Sequence, residues 1–66
     1  MGDRIEVIIE RWSNPNKSTD YRWSVWRAGT RVQMGGPHPS AEASEREAVE
    51  FCRKTFERAP DRVEHL

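Results

Sequence analysis

The sequence predicts an α+β fold in which a three-stranded antiparallel β-meander packs on one C-terminal amphipathic α-helix, in the order β-β-β-α. The observations behind it are alternating runs of β-branched and aromatic residues, a short Ala28-Gly29 turn, and a later apolar stripe at helical spacing. With 66 residues, we predict a single small domain spanning 1–66. Because so small a domain is near the lower limit for folding alone, a homodimer would add useful buried surface.

The first two strands are predicted at about 4–12 and 21–27. One face of the first carries Ile5, Val7 and Ile9, and the other carries Glu6, Ile8, Glu10 and Trp12. In the second strand, Tyr21, Trp23 and Val25 alternate with Arg22, Ser24 and Trp26. The segment between the strands, 13–20, is entirely polar and rich in turn-forming residues, which predicts a loop.

The third strand is predicted at about 30–34, and its register depends on the Ala28-Gly29 turn. A two-residue turn pairs Val25 with Val32 and Trp23 with Met34, so that apolar side chains share one face of the sheet. A bulged turn ending at Gly29 would shift the pairing by one residue and move Trp26 to that same face. We favour the two-residue turn. The following segment, 35–39, is rich in Gly and Pro and is predicted to be a linker.

The helix is predicted at about 41–59, with Pro60 ending it. Ser44 and Glu47 have the spacing of a capping box, although a start at Ser40 is also compatible with the sequence. The apolar stripe that defines the inner face consists of Ala48, Phe51, Cys52, Thr55, Phe56 and Ala59, widened by Val49. Residues 62–66 are either a short fourth strand or a frayed tail.

This arrangement leaves one side of the sheet without a helix. The predicted core places Ile5, Val7, Ile9, Trp23, Val25, Val32 and Met34 against Val49, Cys52 and Phe56. The opposite side displays Ile8, Trp12, Arg22, Trp26, Arg31 and Gln33, edged by Glu6 and Glu10. Tryptophan and arginine are enriched at the centres of protein interfaces. The candidate partner-binding residues are therefore Trp12, Arg22, Trp26, Arg31 and Gln33.

Composition restricts the classes of function. Eleven basic and eleven acidic residues give zero net charge, whereas dedicated nucleic-acid domains are usually strongly basic. The single Cys52 suits a reducing compartment, and Val7-Ile8-Ile9 is the longest aliphatic run, too short for a membrane span. We therefore expect a cytoplasmic protein acting inside a bacterial host, with no membrane association.

Catalytic and metal-binding patterns receive no support from the sequence. His38, His65 and Cys52 match no zinc spacing, and Cys52 lies on the inner stripe of the helix. No nucleophile and base are arranged for catalysis, and a domain this small rarely encloses a pocket that excludes water. We predict a non-enzymatic protein with no cofactor, no metal and no small-molecule substrate.

Three functions remain open. The first is a protein-interaction module that binds a protein partner or itself through the helix-free side of the sheet. The second is nucleic-acid binding by the same side, since five of the six charged residues from Arg11 to Arg31 are basic. The third is an accessory structural domain in which the rings and arginines form a solvated cross-strand cluster without a partner.

The order of three strands followed by Ser44-x-x-Glu47-Ala48 resembles the arm-binding domains of phage and transposon integrases. The resemblance covers roughly residues 5–58 and implies a three-stranded sheet, backed by one helix, that enters the DNA major groove. On that pattern Arg22, Trp26, Arg31 and Gln33 would contact DNA. This chain departs from the pattern by its zero net charge, by its two glutamates on the same side, and by the absence of a catalytic domain.

In size and strand order the chain is also similar to small phage-encoded inhibitors, including some anti-CRISPR proteins, which bind host protein machines. No motif carries this second resemblance. It implies a protein partner, in agreement with the first of the three functions.

Overall fold

The computed structural model describes residues 3–66; the first two residues of the predicted 1–66 domain lie outside this range. The elements are β1 (Ile5–Ser13), β2 (Thr19–Arg27), β3 (Thr30–His38), α1 (Ala41–Phe56) and β4 (Arg62–His65). They form one sheet in the order β3-β2-β1-β4, in which β4 runs parallel to β1 and the other pairs are antiparallel. The predicted α+β meander with a C-terminal helix is confirmed, and the fourth strand is present.

The core lies between α1 and one side of the sheet, and it follows the alternation of the sequence. Its buried members are Ile5, Val7, Ile9, Trp23, Val25, Ala48 and Cys52. Tyr21, Ala41, Phe51, Phe56 and Val63 are partly buried around them. Because successive strand residues point to opposite faces, the even-numbered residues of β1 and β2 lie on the side away from the helix.

The turn between β2 and β3 contains the two predicted residues. Ala28 and Gly29 have φ values of 50° and 80°, as a tight hairpin turn requires, and Arg27 pairs with Thr30. Trp26 therefore pairs with Arg31 and stays on the side away from the helix. The one-residue shift in the β2–β3 pairing that a bulged turn would have caused occurs instead within β3, as a bulge between Arg31 and Gln33.

The bulge makes the predicted pairing of Val25 with Val32 and of Trp23 with Met34 wrong. Val25 pairs with Gln33, and Trp23 pairs with Gly35. The placement of Val32 and Met34 in the core is also wrong, because their exposed fractions are 43% and 52%. Local turn chemistry fixes the start of β3, but an extra residue inside the strand changes every later pair.

The glycine-rich segment predicted to be a linker is the second half of β3, which continues to His38. Gly35 is required there because the Trp23 indole lies directly against it. A Cβ atom at Gly35 would be 2.5 Å from Cζ2 and 2.6 Å from Cε2 of Trp23. The glycine thus makes room for the largest side chain of the core, which is a tertiary contact and not a break in the strand.

The helix begins at the earlier of the two compatible serines. Ser40 is the N-cap, and its Oγ accepts a hydrogen bond from the Ala43 amide. Ser44 is fully buried and donates a 2.7 Å hydrogen bond to the Tyr21 carbonyl, so the predicted capping box is wrong and this serine instead joins α1 to β2. The helix ends at Phe56, before the predicted 59, with Glu57 in the left-handed conformation.

The C-terminal strand is fastened at both ends to β1. The Ile5 amide donates to Asp61 Oδ2 at 2.8 Å, and the Asp61 amide donates to the Ile5 carbonyl at 2.8 Å. At the other end the Leu66 amide donates to the Ile9 carbonyl. Val63 pairs with Val7 and covers the edge of the core. Within residues 3–66 no helix is long and apolar enough to cross a membrane.

We expect Gly35→Ala to lower the free energy of unfolding by about 1–3 kcal/mol, because the new methyl group overlaps the Trp23 ring. Urea unfolding followed by tryptophan fluorescence measures the change. The control is Gly29→Asn, since that position has no atom within 4 Å and asparagine tolerates a positive φ. Its cost should be limited to the backbone strain of the positive φ, about 1 kcal/mol, with no steric overlap added. Equal midpoints for Gly35→Ala and the parent protein would contradict this packing.

Candidate functional site: the open face of the sheet

The side of the sheet away from α1, here called the open face, is built from all four strands. Its members are Glu6, Ile8, Glu10, Trp12, Arg22, Ser24, Trp26, Arg31, Met34, Arg62 and Glu64, as the cross-strand register assigns them. The helix packs on the opposite side, against Ile5, Val7, Ile9 and Val25. Four of the five predicted site residues, Trp12, Arg22, Trp26 and Arg31, therefore share one surface.

Trp12 and Arg22 form a stacked pair near the end of the β1–β2 hairpin. The guanidinium carbon of Arg22 lies 5.1 Å from the centroid of the Trp12 ring, within the range of a cation–π interaction. Trp12 is 47% exposed, so the pair presents an aromatic surface and a positive charge to solvent together. Stacking restricts both side chains before any partner arrives.

Trp26 is held in place by its own strand. Its Nε1 donates a 2.9 Å hydrogen bond to Ser24 Oγ, two residues earlier on the same face. Ser24 is 5% exposed although it lies on the open face, and Trp26 is itself half-buried. The indole therefore lies along the sheet with its polar atom satisfied, which leaves an apolar ring surface beside the half-buried Ile8.

Met34 joins the open face as a result of the bulge in β3. It pairs with Ser24 and is 52% exposed, and sequence reasoning missed it because the straight register places it in the core. Its flexible thioether suits a contact surface that must adapt to another molecule. Gly35 is the residue from which this exposure could have been predicted. A core tryptophan needs space on the neighbouring strand, so pairing Trp23 with Gly35 would have placed Met34 on the open face.

Gln33 does not belong to the open face, so its predicted placement there is wrong. Its partner in the register is Val25, a fully buried core residue, which puts Gln33 on the helix side of β3. There it lines a recess with Trp23, Glu47, Glu50, Phe51 and Lys54. The cause is again the bulge at Val32, which reverses the faces of Gln33, Met34 and Gly35 until a second shift between Gly35 and His38 restores the alternation.

The helix side of β3 carries a polar cluster that the sequence did not predict. Trp23 Nε1 donates to Glu47 Oε1 at 2.9 Å, and His38 Nε2 lies 3.0 Å from the other carboxylate oxygen. Both oxygens of Glu47 are therefore engaged, one by β2 and one by β3. The hydrogen bond from Trp23, followed by that from His38, holds the pKa of Glu47 below its ordinary value.

The cysteine and the two histidines each have neighbours within the fold. Cys52 is fully buried, and burial raises the pKa of its thiol, so the nucleophilic thiolate is disfavoured. His65 lies 2.7 Å from Glu45, just as His38 is held by Glu47. Within residues 3–66 no three His, Cys, Asp or Glu side chains are grouped to hold a metal ion.

A comparison with protein-family models, with curated proteins and with solved structures found no match to this chain. The open face is therefore interpreted from its own geometry.

We expect Glu47→Gln to reduce stability at neutral pH and to leave it nearly unchanged in acid. The folded-state pKa of Glu47 lies below the ordinary glutamate value of 4.5, so its carboxylate stabilises the fold above that value. This contribution is lost as the pH falls through the lowered pKa. Urea midpoints of the two proteins, measured from pH 7 downward, should converge. A constant difference at every pH would contradict the assignment.

Proposed function

We propose that this chain is a non-enzymatic protein-interaction module that binds a protein partner, or a second copy of itself, through the open face. The observation that carries the proposal is the uneven covering of the sheet. One helix covers one side, while the other side displays Trp12, Trp26 and Met34 among charged residues. Tryptophan, methionine and arginine are the side chains enriched at interface centres. A phage-type inhibitor of a host protein is one form of such a module.

The fixed positions of the two indoles support binding. Trp26 is held by Ser24, and Trp12 is held by Arg22, so neither ring has to be immobilised when a partner docks. Immobilising a free side chain at an interface costs about 0.5–1.5 kcal/mol, and this cost is reduced for a ring already in position.

The single thiol supports a proposal about the compartment. Cys52 is buried and unpaired, and its surroundings contain no second cysteine. A free thiol persists in reducing conditions, and we therefore propose that the module acts in the cytoplasm.

A photoreactive phenylalanine analogue at position 34 should form a covalent adduct with a defined protein in an extract of the source cells. The same analogue at Arg53, which is exposed on α1, serves as the matched control and should give no such adduct. Adding Trp26→Ala to the position-34 probe should lower the adduct yield about tenfold, as expected for a tryptophan at an interface centre. Mass spectrometry identifies the captured chain.

Two outcomes would contradict the proposal. One is equal labelling from positions 34 and 53, which would mean that the open face has no preference over the helix surface. The other is an adduct at position 34 whose yield does not depend on Trp26.

Nucleic-acid binding is the second candidate, and the observation that favours it is the stacked pair on the β1–β2 hairpin. Arg11, Trp12 and Lys17 are exposed at this end of a molecule that is 45 Å long and 19 Å wide, and Arg11 lies on the opposite face of the ribbon from Arg22. An aromatic ring beside arginines suits stacked bases and phosphates, and a two-stranded ribbon fits the DNA major groove. Zero net charge and the glutamates of β1 make this the less favoured function.

A fluorescence titration with duplex and single-stranded DNA at low salt separates the two candidates. If the hairpin binds phosphates through Arg11, Lys17 and Arg22, the logarithm of the binding constant should fall with the logarithm of salt, with a slope of about −2 to −3. Arg22→Gln should reduce that slope by about one. No fluorescence change at low salt would exclude nucleic-acid binding and leave the protein-interaction proposal standing.

A further inference from the structure

The charges of the open face are divided across its strands. Arg22 on β2 and Arg31 on β3 lie on one side of the face, and Glu6 and Glu10 on β1 lie next to them on the other. Glu6 already lies 4.0 Å from the guanidinium of Arg4, whereas no salt bridge within residues 3–66 engages Glu10, Arg22 or Arg31. Glu10 and Arg22 are therefore opposite charges, on adjacent strands of the face, that remain available to a partner.

The β4 strand adds no net charge to the acidic half. Arg62 and Glu64 form an ion pair at 2.9 Å, so their charges cancel. At the hairpin end of β2, Asp20 accepts a hydrogen bond from the Asn14 side chain at 2.9 Å and belongs to the turn. The division between a basic and an acidic half thus depends on β1, β2 and β3.

A surface divided in this way is complementary to itself. A two-fold axis that lies in the plane of contact, parallel to the strands and between β1 and β2, exchanges the two halves but keeps each residue's position along its strand. Because Glu10 and Arg22 are direct partners in the register, this rotation places Arg22 of one copy opposite Glu10 of the second, and the reverse. The same rotation places Arg31 opposite Arg62 of the second copy, whose charge is offset by Glu64 at 2.9 Å.

The centre of such a contact is apolar. Ile8 pairs with Ser24, to which the Trp26 indole donates its hydrogen bond, so the rotation places Ile8 of one copy opposite Ser24 of the second, beside the Trp26 indole. The Trp26 backbone itself is level with Glu6 of the second copy. Strands of this length and spacing give a face on the order of 500 Å² per copy. Two copies would bury about 1,000 Å² in total, the lower range of specific interfaces. With zero net charge, two copies do not repel each other at neutral pH.

The edges of the sheet are poorly suited to strand pairing with a second copy of the chain. The β3 edge is interrupted by the bulge at Val32 and by Pro37, which has no amide hydrogen to donate. The β4 edge is four residues long and contains Arg62, Glu64 and His65. Charged, short and bulged edges disfavour pairing with another strand, so association through the face is the favoured route.

We propose that the occupant of the open face is a second copy of this chain, packed sheet to sheet about that two-fold axis with reciprocal Arg22–Glu10 contacts. The proposal rests on the proposed function, because it names the partner of the same face.

Sedimentation equilibrium over a concentration series tests the proposal with two charge reversals, Glu10→Arg and Arg22→Glu. The unmodified protein should dimerise, and each variant alone should dimerise at least about tenfold more weakly, because two like-charge contacts replace two favourable ones. An equimolar mixture of the two variants should recover the dimer, since Arg at position 10 then faces Glu at position 22 and the native pair forms at the other contact.

Each variant has the same internal contacts alone and in the mixture, so a variant with a damaged fold would not regain dimerisation on mixing. Recovery in the mixture therefore excludes misfolding as the cause of the weaker dimerisation. Glu50→Arg, on the exposed surface of α1, is the control and should leave dimerisation unchanged. Dimerisation of the parent protein without recovery in the mixture would overturn this two-fold arrangement. A monomeric parent protein at every concentration would overturn self-association, whereas the adduct at position 34 with a different protein would still support the proposed function.

Discussion

The contact between the Trp23 indole and Gly35 is the constraint on which the other features depend. Trp23 is 5% exposed, its ring lies against Gly35 of β3, its N–H donates to Glu47 of α1, and its centroid is 5.8 Å from that of Phe51. One side chain therefore joins β2, β3 and the helix. No residue of β3 is fully buried, so this strand owes its position to the indole and to its hydrogen bonds with β2.

The same contact determines which side chains reach the open face. Counting back from the Ala28-Gly29 turn, a regular hairpin would place Met34 opposite Trp23, and one additional residue is needed to bring Gly35 there instead. The bulge at Val32 supplies that residue. Met34 then pairs with Ser24 and becomes exposed, and Gln33 turns toward the helix. Packing on one side of the sheet thus decides the composition of the other side.

Sequence periodicity was sufficient for β1 and β2, because burial on one face imposes an alternation that can be read locally. In α1 it found Ala48, Phe51, Cys52 and Phe56, whereas the other predicted members of the inner stripe, Val49, Thr55 and Ala59, lie outside the core. It located Trp12, Arg22, Trp26 and Arg31 on a common surface. It failed where a tertiary contact outweighed local preference. Ser40 and Ser44 are both compatible with a cap, and the Tyr21 carbonyl, distant in sequence, uses Ser44. The bulge at Val32 likewise follows from the packing of the Trp23 ring, for which Gly35 is the indication within β3.

The parallel strand β4 has a consequence for the order in which the molecule is completed. β1 lies between β2 and β4, although β4 is the last element of the chain. During synthesis β1 can pair with β2 early, but its second edge lacks hydrogen-bond partners until residues 61–66 have emerged from the ribosome. The first strand made is therefore the last to be satisfied, and a nascent chain stalled before Asp61 would present an unpaired edge beside Val7, one of the most buried side chains of the protein.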